Sequence, residues 1–274
     1  MLSQPEHNEY LLGHSMPEED RLRRQAREFV PDSTQFLDQL GIQPGWRTAD
    51  IGCGPHGILD LLSERVGPNG RVVGVERSES TVQLALQMIA DRQLWNVEMV
   101  HADASATGLP RASFNLVHAR LLLVNLPEPR KIVDEMIALV RPGGIVAAHE
   151  GDWGISFCHP PSPAWDRFLG VFEGFSRNLG IDLRIGRKLA QIFRAAGLID
   201  VQVTPVIRCE PLGTGRRNIL CDLVENLRDG LVTQGLLTEI EIKEQLTDLK
   251  RHLDDANTLV IPSLFLQVWG RKPE

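Results

Sequence analysis

The stretch Asp50-Ile51-Gly52-Cys53-Gly54-Pro55-His56-Gly57, "DIGCGPHG", decides the fold. Its glycines fit G-x-G-x-x-G, a spacing read as a strand-to-helix turn that receives a dinucleotide. By itself the pattern is weak, because glycines collect at such turns for backbone reasons alone. The context strengthens it. "RTADI" ahead of the turn reads as a strand, and "ILDLLSERV" behind it as a helix with apolar residues recurring at three and four.

Outward from there, short β-branched runs alternate with helical patterns, which predicts a parallel sheet with crossover helices. "RVVGVE" is a second strand, and "STVQLALQMIADRQ" a second helix with Ser80 as its N-cap. "NVEMVHAD", "SFNLVHA" and "IVAAHE" give strands three, four and five. "PRKIVDEMIALV" is a helix ended by "RPGG", whose glycines suit the left-handed positions after a helix. Simple alternation then stops. "SPAWDRFLGVFEGFSRNLG" is an amphipathic helix, "IGRKLAQIFRAAGL" a core helix and "DVQVTPVIRC" a sixth strand. Two or three helices follow from Arg216 to Ala256, and "IPSLFLQVWGRK" is a final strand.

The expectation is a single domain. Residues 1–44 form a helical lid, 45–150 the ligand-binding core, 154–183 and 212–257 helical insertions on the substrate side, and 259–274 the final strand. Ligands of open α/β sheets sit beyond the carboxyl ends of the strands, so these segments can roof a site there.

The 274 residues are 42% hydrophobic and 24% charged, ordinary for a globular chain. A formal net charge of −7 argues against nucleic acid or an anionic membrane as the main partner. The four cysteines, Cys53, Cys158, Cys209 and Cys221, are scattered without a C-x-x-C pair. That usage fits a reducing interior and neither a disulfide framework nor a structural zinc. With no signal-peptide pattern and no long apolar run, a cytoplasmic chain is expected.

Which ligand the turn takes depends on Asp50. A pyrophosphate lying on the helix N-terminus, as NAD requires, would face this carboxylate. A ligand with an ammonium and a sulfonium would be drawn to it. At an effective dielectric of about 20, unit charges about 4 Å apart interact by roughly 4 kcal/mol, so the sign of the ligand matters. S-adenosylmethionine (SAM) carries those cations. Glu76, ending strand two, can accept from both ribose hydroxyls of either cofactor. Asp103, ending strand three in "HADAS", is placed for an adenine amino group beside Ala104 and Ser105.

Together "DIGCGPHG", "VVGVER", "HADASATGLPRASFNLVHARLLLVNLPEP" and "RPGGIVAAHEGDW" resemble the class I SAM-dependent methyltransferases, in particular UbiE-like enzymes and small-molecule methyltransferases of secondary metabolism. The resemblance covers residues 45 to 150 and, more weakly, the final strand. It implies a Rossmann-like α/β fold: a seven-stranded mixed sheet of order 3-2-1-4-5-7-6, its last strand antiparallel. It implies SAM as the cofactor, with Asp50, Gly52, Cys53 and Gly54 on the methionine side and Glu76 at the ribose. Arg77 would lie on the adenine face, and Asp103 and Ala104 at the adenine edge. His118, Ala119 and Arg120 fall where the family places backbone contacts to the methionyl part. His56 departs from the glycine common at its position, and its role stays open.

The N-terminal "EYLLGHSMPEEDRLRRQ" resembles an entry segment of such enzymes. Tyr10, the one tyrosine, would close over the cofactor or anchor the helix. Arg21 and Gln25, four apart on one helix face, would reach the SAM carboxylate or remain surface groups. The implied chemistry is in-line displacement at the SAM methyl by an O, N or C nucleophile of a small molecule. A general base is optional; Asp152, His14 and His149 are the candidates, with a structural, hydrogen-bonded histidine the alternative for His149. Trp153, Phe157, Trp165, Phe168, Phe172 and Phe175 wall a pocket or fill the core. There is no H-E-x-x-H, no tight histidine–carboxylate cluster and no G-x-S-x-G elbow, so neither a metal nor hydrolase chemistry is expected. A SAM-binding protein without methyl transfer, and an NAD-dependent oxidoreductase, are the alternatives. The apolar insertions either cover the substrate or pair with a second copy, which leaves a homodimer open.

Overall fold

The computed structural model describes residues 16–274, with side chains from residue 21. Nine strands are present among them: β1 (Arg47–Ile51), β2 (Arg71–Glu76), β3 (Val97–His101), β4 (Phe114–Arg120), β5 (Val140–Asp152), β6 (Phe157–His159), β7 (Ile199–Val206), β8 (Leu259–Ile261) and β9 (Leu264–Arg271). Seven of them form one sheet of order β3-β2-β1-β4-β5-β9-β7. Counting only those seven along the chain, this is the expected order 3-2-1-4-5-7-6. β9 runs antiparallel to both β5 and β7, whereas the pairs from β3 across to β5 are parallel.

The central strands read as continuous apolar runs because helices cover both faces. Successive residues go to opposite cores. Val72, Leu116 and Ile145 face a cluster with Phe36, Leu37, Leu59 and Leu62, whereas Val73, Val117 and Val146 face the other, with Ile132, Val133, Met136 and Leu139. The helices supplying these layers are α1 (Met16–Gln39), α2 (Leu59–Val66), α3 (Glu79–Asp91) and α4 (Pro129–Leu139).

Two local expectations need correction. The N-cap of α3 is Ser78, whose hydroxyl accepts from the Thr81 amide at 3.3 Å; Ser80 is already inside the helix. The "RPGG" segment does not cap α4. Val140 is extended and begins β5, and residues 141–144 bulge outward, since Phe114 pairs with Val140 and Leu116 already with Ile145. Gly143 takes φ +69° within that bulge.

Two insertions rise above the carboxyl ends of the strands. Between β5 and β7 lies α5 (Pro163–Asn178), followed by α6 (Leu189–Ala195), which packs back on β7 and β9; between β7 and β9 lie α7 (Ile219–Asn226), α8 (Arg228–Thr233) and α9 (Glu239–Leu253). Trp165, Phe168 and Phe175 of α5 pack with Leu220, Leu223, Val224, Leu246 and Leu249 in a core continuous with that of the sheet. A short antiparallel ribbon, β6 with β8, ties the two insertions together and was not legible in the sequence. Among the described residues no helix is long and apolar enough to cross a membrane.

Candidate functional site

A cavity of about 460 Å³ opens beyond the carboxyl ends of β1 to β5, between the sheet and the roof of α1, α5 and α7. Its floor begins at the glycine turn. Gly52 and Gly54 have φ of +65° and +61°, which side chains rarely adopt, and a Cβ on Gly57 would meet the Cys53 carbonyl oxygen at 2.2 Å. All three glycines are therefore required by the backbone.

Asp50, Glu76 and Asp103 line this cavity in strand order β1, β2, β3. Asp50 is buried, and its Oδ1 accepts from His118 Nδ1 at 2.8 Å. The two residues are register partners on β1 and β4. Glu76 accepts from the Gly54 amide at 3.2 Å through one oxygen and from the Arg77 and Ser78 amides at 2.8 and 2.9 Å through the other. Asp103 accepts from the Ser105 amide and hydroxyl at 2.8 and 2.5 Å. Burial would push the Asp103 carboxyl up, but these two bonds and the Arg77 charge outweigh it and leave its pKa lowered. Cys53 also lines the cavity; its thiol is pushed well up by burial, then by Asp50 and Glu76, which makes it a poor nucleophile.

The expected placements divide cleanly. Gly52, Gly54, Arg77, Ala104, Arg120, Arg21 and Gln25 all reach the cavity wall. Arg21 Nη1 donates to Gln25 Oε1 at 2.8 Å, so the helix-face pairing is inward, not a surface feature. Arg120 enters through its side chain: Nη1 donates to Ser33 Oγ at 2.9 Å, and the guanidinium lies 5.6 Å from the Phe29 ring centre. Burial lowers its pKa against the pull of Asp50 and Asp60. His118 and Ala119 are buried in the sheet and do not line the cavity; His118 instead holds Asp50. Tyr10 and His14 lie outside the described residues.

The base candidates are corrected by geometry. Asp152 is fully buried off the cavity, where its oxygens accept from Arg187 Nε, from Arg187 Nη2 at 2.8 Å and from the Gly154 amide at 2.9 Å. That guanidinium consumes the carboxylate. His149 is also fully buried, but neither ring nitrogen has a hydrogen-bond partner among the described residues, and the rings of Phe29, Phe36 and Phe265 surround it. Burial, followed by the charges of Arg120, His118 and Arg216, holds its pKa well below the usual value, so it packs as a neutral aromatic.

Beyond the glycine turn the cavity becomes apolar. Trp153 and Phe172 meet edge-to-face at 5.1 Å, and Leu183, Ile219, Leu223 and Phe265 complete this lobe. Phe157, by contrast, is exposed on β6, and Trp165, Phe168 and Phe175 are core. One wall between the two halves is the turn after β4, where Leu121 takes φ +52°, an uncommon conformation for leucine. Glu150 imposes it: its fully buried carboxylate accepts from the Leu122, Leu123 and Val124 amides at 3.0, 2.9 and 3.1 Å. Burial still raises its pKa to about 7. Neither Glu150 nor Arg216, held between Phe29 and Phe265 at 4.6 and 4.7 Å, was found from sequence. An acid ending an apolar run is the only signal Glu150 offers.

Residues 42–158 match a family model described as a methyltransferase domain. Over these residues the chain is similar to SAM-dependent methyltransferases. A demethylmenaquinone methyltransferase of Geobacillus stearothermophilus is 29% identical over 181 residues, covering 62% of this chain and 77% of the relative. Among solved structures, Haemonchus contortus phosphoethanolamine N-methyltransferase 2 matches 89% of this chain with TM-score 0.59 and 16% identity. The match spans only 53% of that longer protein. Geranyl diphosphate C-methyltransferase of Streptomyces coelicolor A3(2) matches 97% of this chain and 92% of its own length, with TM-score 0.56 and 14% identity. These two similarities establish the fold. The methyltransferase cofactor SAM suits the donor set: a buried carboxylate at the turn for a cation, and two strand-end acids for hydroxyl and amino groups.

Proposed function

We infer that this chain transfers the methyl group of SAM to a nucleophile of a small, largely apolar metabolite by in-line displacement. One observation carries the reading. The acid-lined turn and the aromatic lobe are two halves of one cavity, so a cofactor and an acceptor bound there would be in contact.

Asp50 holds the ammonium, Glu76 the ribose hydroxyls and Asp103 the adenine amino group, with Ala104 and Arg77 beside the adenine. Arg21, Gln25 and Arg120 are the groups of suitable charge and donors for the carboxylate. When bound, the cofactor supplies a methyl group on a sulfonium, already an excellent leaving group. The chain's own contribution is then alignment. Well-oriented reactions reach effective molarities of roughly 10⁵–10⁸ M. The α1, α5 and α7 roof excludes water from that alignment, and the turn fixed by Glu150 sets the boundary between the halves. The names of the demethylmenaquinone methyltransferases point to ring-bearing acceptors, and the Trp153–Phe172 wall offers a matching apolar surface. A small ring compound of secondary metabolism fits a cavity of this size.

Calorimetric titration with SAM and with NADH tests the cofactor, and mass spectrometry of a phenol, amine and quinol panel tests the transfer. Tight NADH binding without SAM binding would sink the reading. SAM binding without methylation of any acceptor would leave a binding protein.

A further inference from the structure

We propose that Asp222 is the proton acceptor on the acceptor side of the cavity, and that the acceptor presents a weakly acidic hydroxyl. The assignment rests on the methyl-transfer reading and adds the group that takes the hydroxyl proton.

The carboxylates on the cavity wall are otherwise committed. Asp50 is held by His118, Glu76 by three backbone amides and Asp103 by Ser105. Glu128 is an exposed partner of Lys131 at 2.7 Å. Glu28 accepts the Gly215 and Arg216 amides at 2.6 and 3.1 Å. Asp222 differs from all of them. It lines the cavity, its side chain is 26% exposed, and its one ion pair among the described residues is a loose contact of 3.6 Å with Arg24 Nη2. Among the described residues no hydrogen bond occupies its oxygens.

The placement follows from the helix. Ile219, Asp222 and Leu223 are spaced three and four apart on α7 and all reach the cavity, so the carboxylate sits beside the apolar lobe, at its border with the α1 arginines. Burial pushes the Asp222 carboxyl up; Arg24 and Arg21 of α1 pull it down, Glu225 on its own helix pushes it up and Lys250 of α9 pulls it down, leaving it raised. A base so tuned is better matched to a hydroxyl proton than an ordinary aspartate.

In the step, an oxygen electron pair of the acceptor forms the new O–C bond while the C–S bond breaks and its pair returns to sulfur. The acceptor O–H bond breaks and the proton passes to Asp222, which releases it to solvent. The sulfonium becomes a neutral thioether, so charge and atoms balance without another reactant.

The test uses 4-nitrophenol titrated spectroscopically with the full chain and saturating S-adenosylhomocysteine. A carboxylate beside the phenol disfavours the phenolate, so Asp222→Asn should lower the apparent pKa of the bound phenol by about one unit or more. Where methylation of phenols is measurable, the variant should lose about a hundredfold in kcat and the acid limb of the pH profile. SAM affinity should stay within about twofold, and Asp222→Glu should recover part of the rate. An unchanged titration, or no binding of 4-nitrophenol, overturns the assignment. Failure to bind S-adenosylhomocysteine would instead overturn the methyl-transfer reading beneath it.

Discussion

His118 and Asp50 face each other across adjacent parallel strands, with the imidazole Nδ1 2.8 Å from the carboxylate and both side chains almost fully buried. In the proposed function the histidine therefore serves the cofactor half at one remove. It fixes the direction in which Asp50 presents its second oxygen.

Replacing His118 should weaken cofactor binding without touching the acceptor. His118→Ala leaves a buried carboxylate unsatisfied, a loss of about 1–3 kcal/mol in stability. SAM affinity should fall about tenfold, equivalent to about 1.4 kcal/mol. His118→Asn, which can still donate, should recover part of both. Calorimetry and urea unfolding on the same samples give the two numbers; unchanged SAM affinity in the alanine variant would remove the positioning role.

Glu150 gives a pH signature of defined sign. Its folded-state pKa of about 7 lies above its ordinary 4.5, so the folded protein binds the proton more strongly. Its favourable contribution is full below pH 4.5 and disappears as pH rises to about 7, a swing of roughly 3 kcal/mol. The difference in unfolding free energy between wild type and Glu150→Gln should therefore change across that window. A difference independent of pH would contradict the assignment.

Asp152 should behave as a structural residue. Asp152→Asn breaks its pairing with Arg187, whose side chain is 45% exposed. Solvent screening brings the expected loss down to about 1–3 kcal/mol. The kcat of the variant should stay within about threefold of wild type once the protein is fully folded. A much larger fall in kcat, with unfolding midpoint unchanged, would return Asp152 to the catalytic machinery.

Gly57→Ala tests the turn itself. The added methyl would meet the Cys53 carbonyl oxygen at 2.2 Å, so the backbone must move. An overpacking loss of about 1–3 kcal/mol is expected, together with strongly reduced SAM affinity. Thermal unfolding with and without SAM separates the effects, since a bound ligand raises the midpoint only if the turn still forms.

The cofactor half was readable because its groups are local. Each acid sits at the end of its own strand, and each strand announces itself by an apolar run. The acceptor half depends on contacts between residues far apart in the chain. Nothing near Asp152 reveals that Arg187 closes over it, and nothing near His149 reveals its aromatic surroundings. His118 reads in the sequence only as a backbone contact, and the role of its side chain follows from register with Asp50, which the sequence does not display. Asp222 resembles any other acid of an amphipathic helix until α1 and α5 are folded beside it.

The β6–β8 ribbon has a consequence for engineering acceptor choice. Phe157–His159 belongs to the first insertion and Leu259–Ile261 to the end of the second, yet they share one set of backbone hydrogen bonds. Importing either insertion alone from a relative would leave one partner of the ribbon without its edge. Chimeras intended to exchange substrate range should therefore carry both segments as a matched cassette, joined to the untouched strand ends proposed to hold the cofactor.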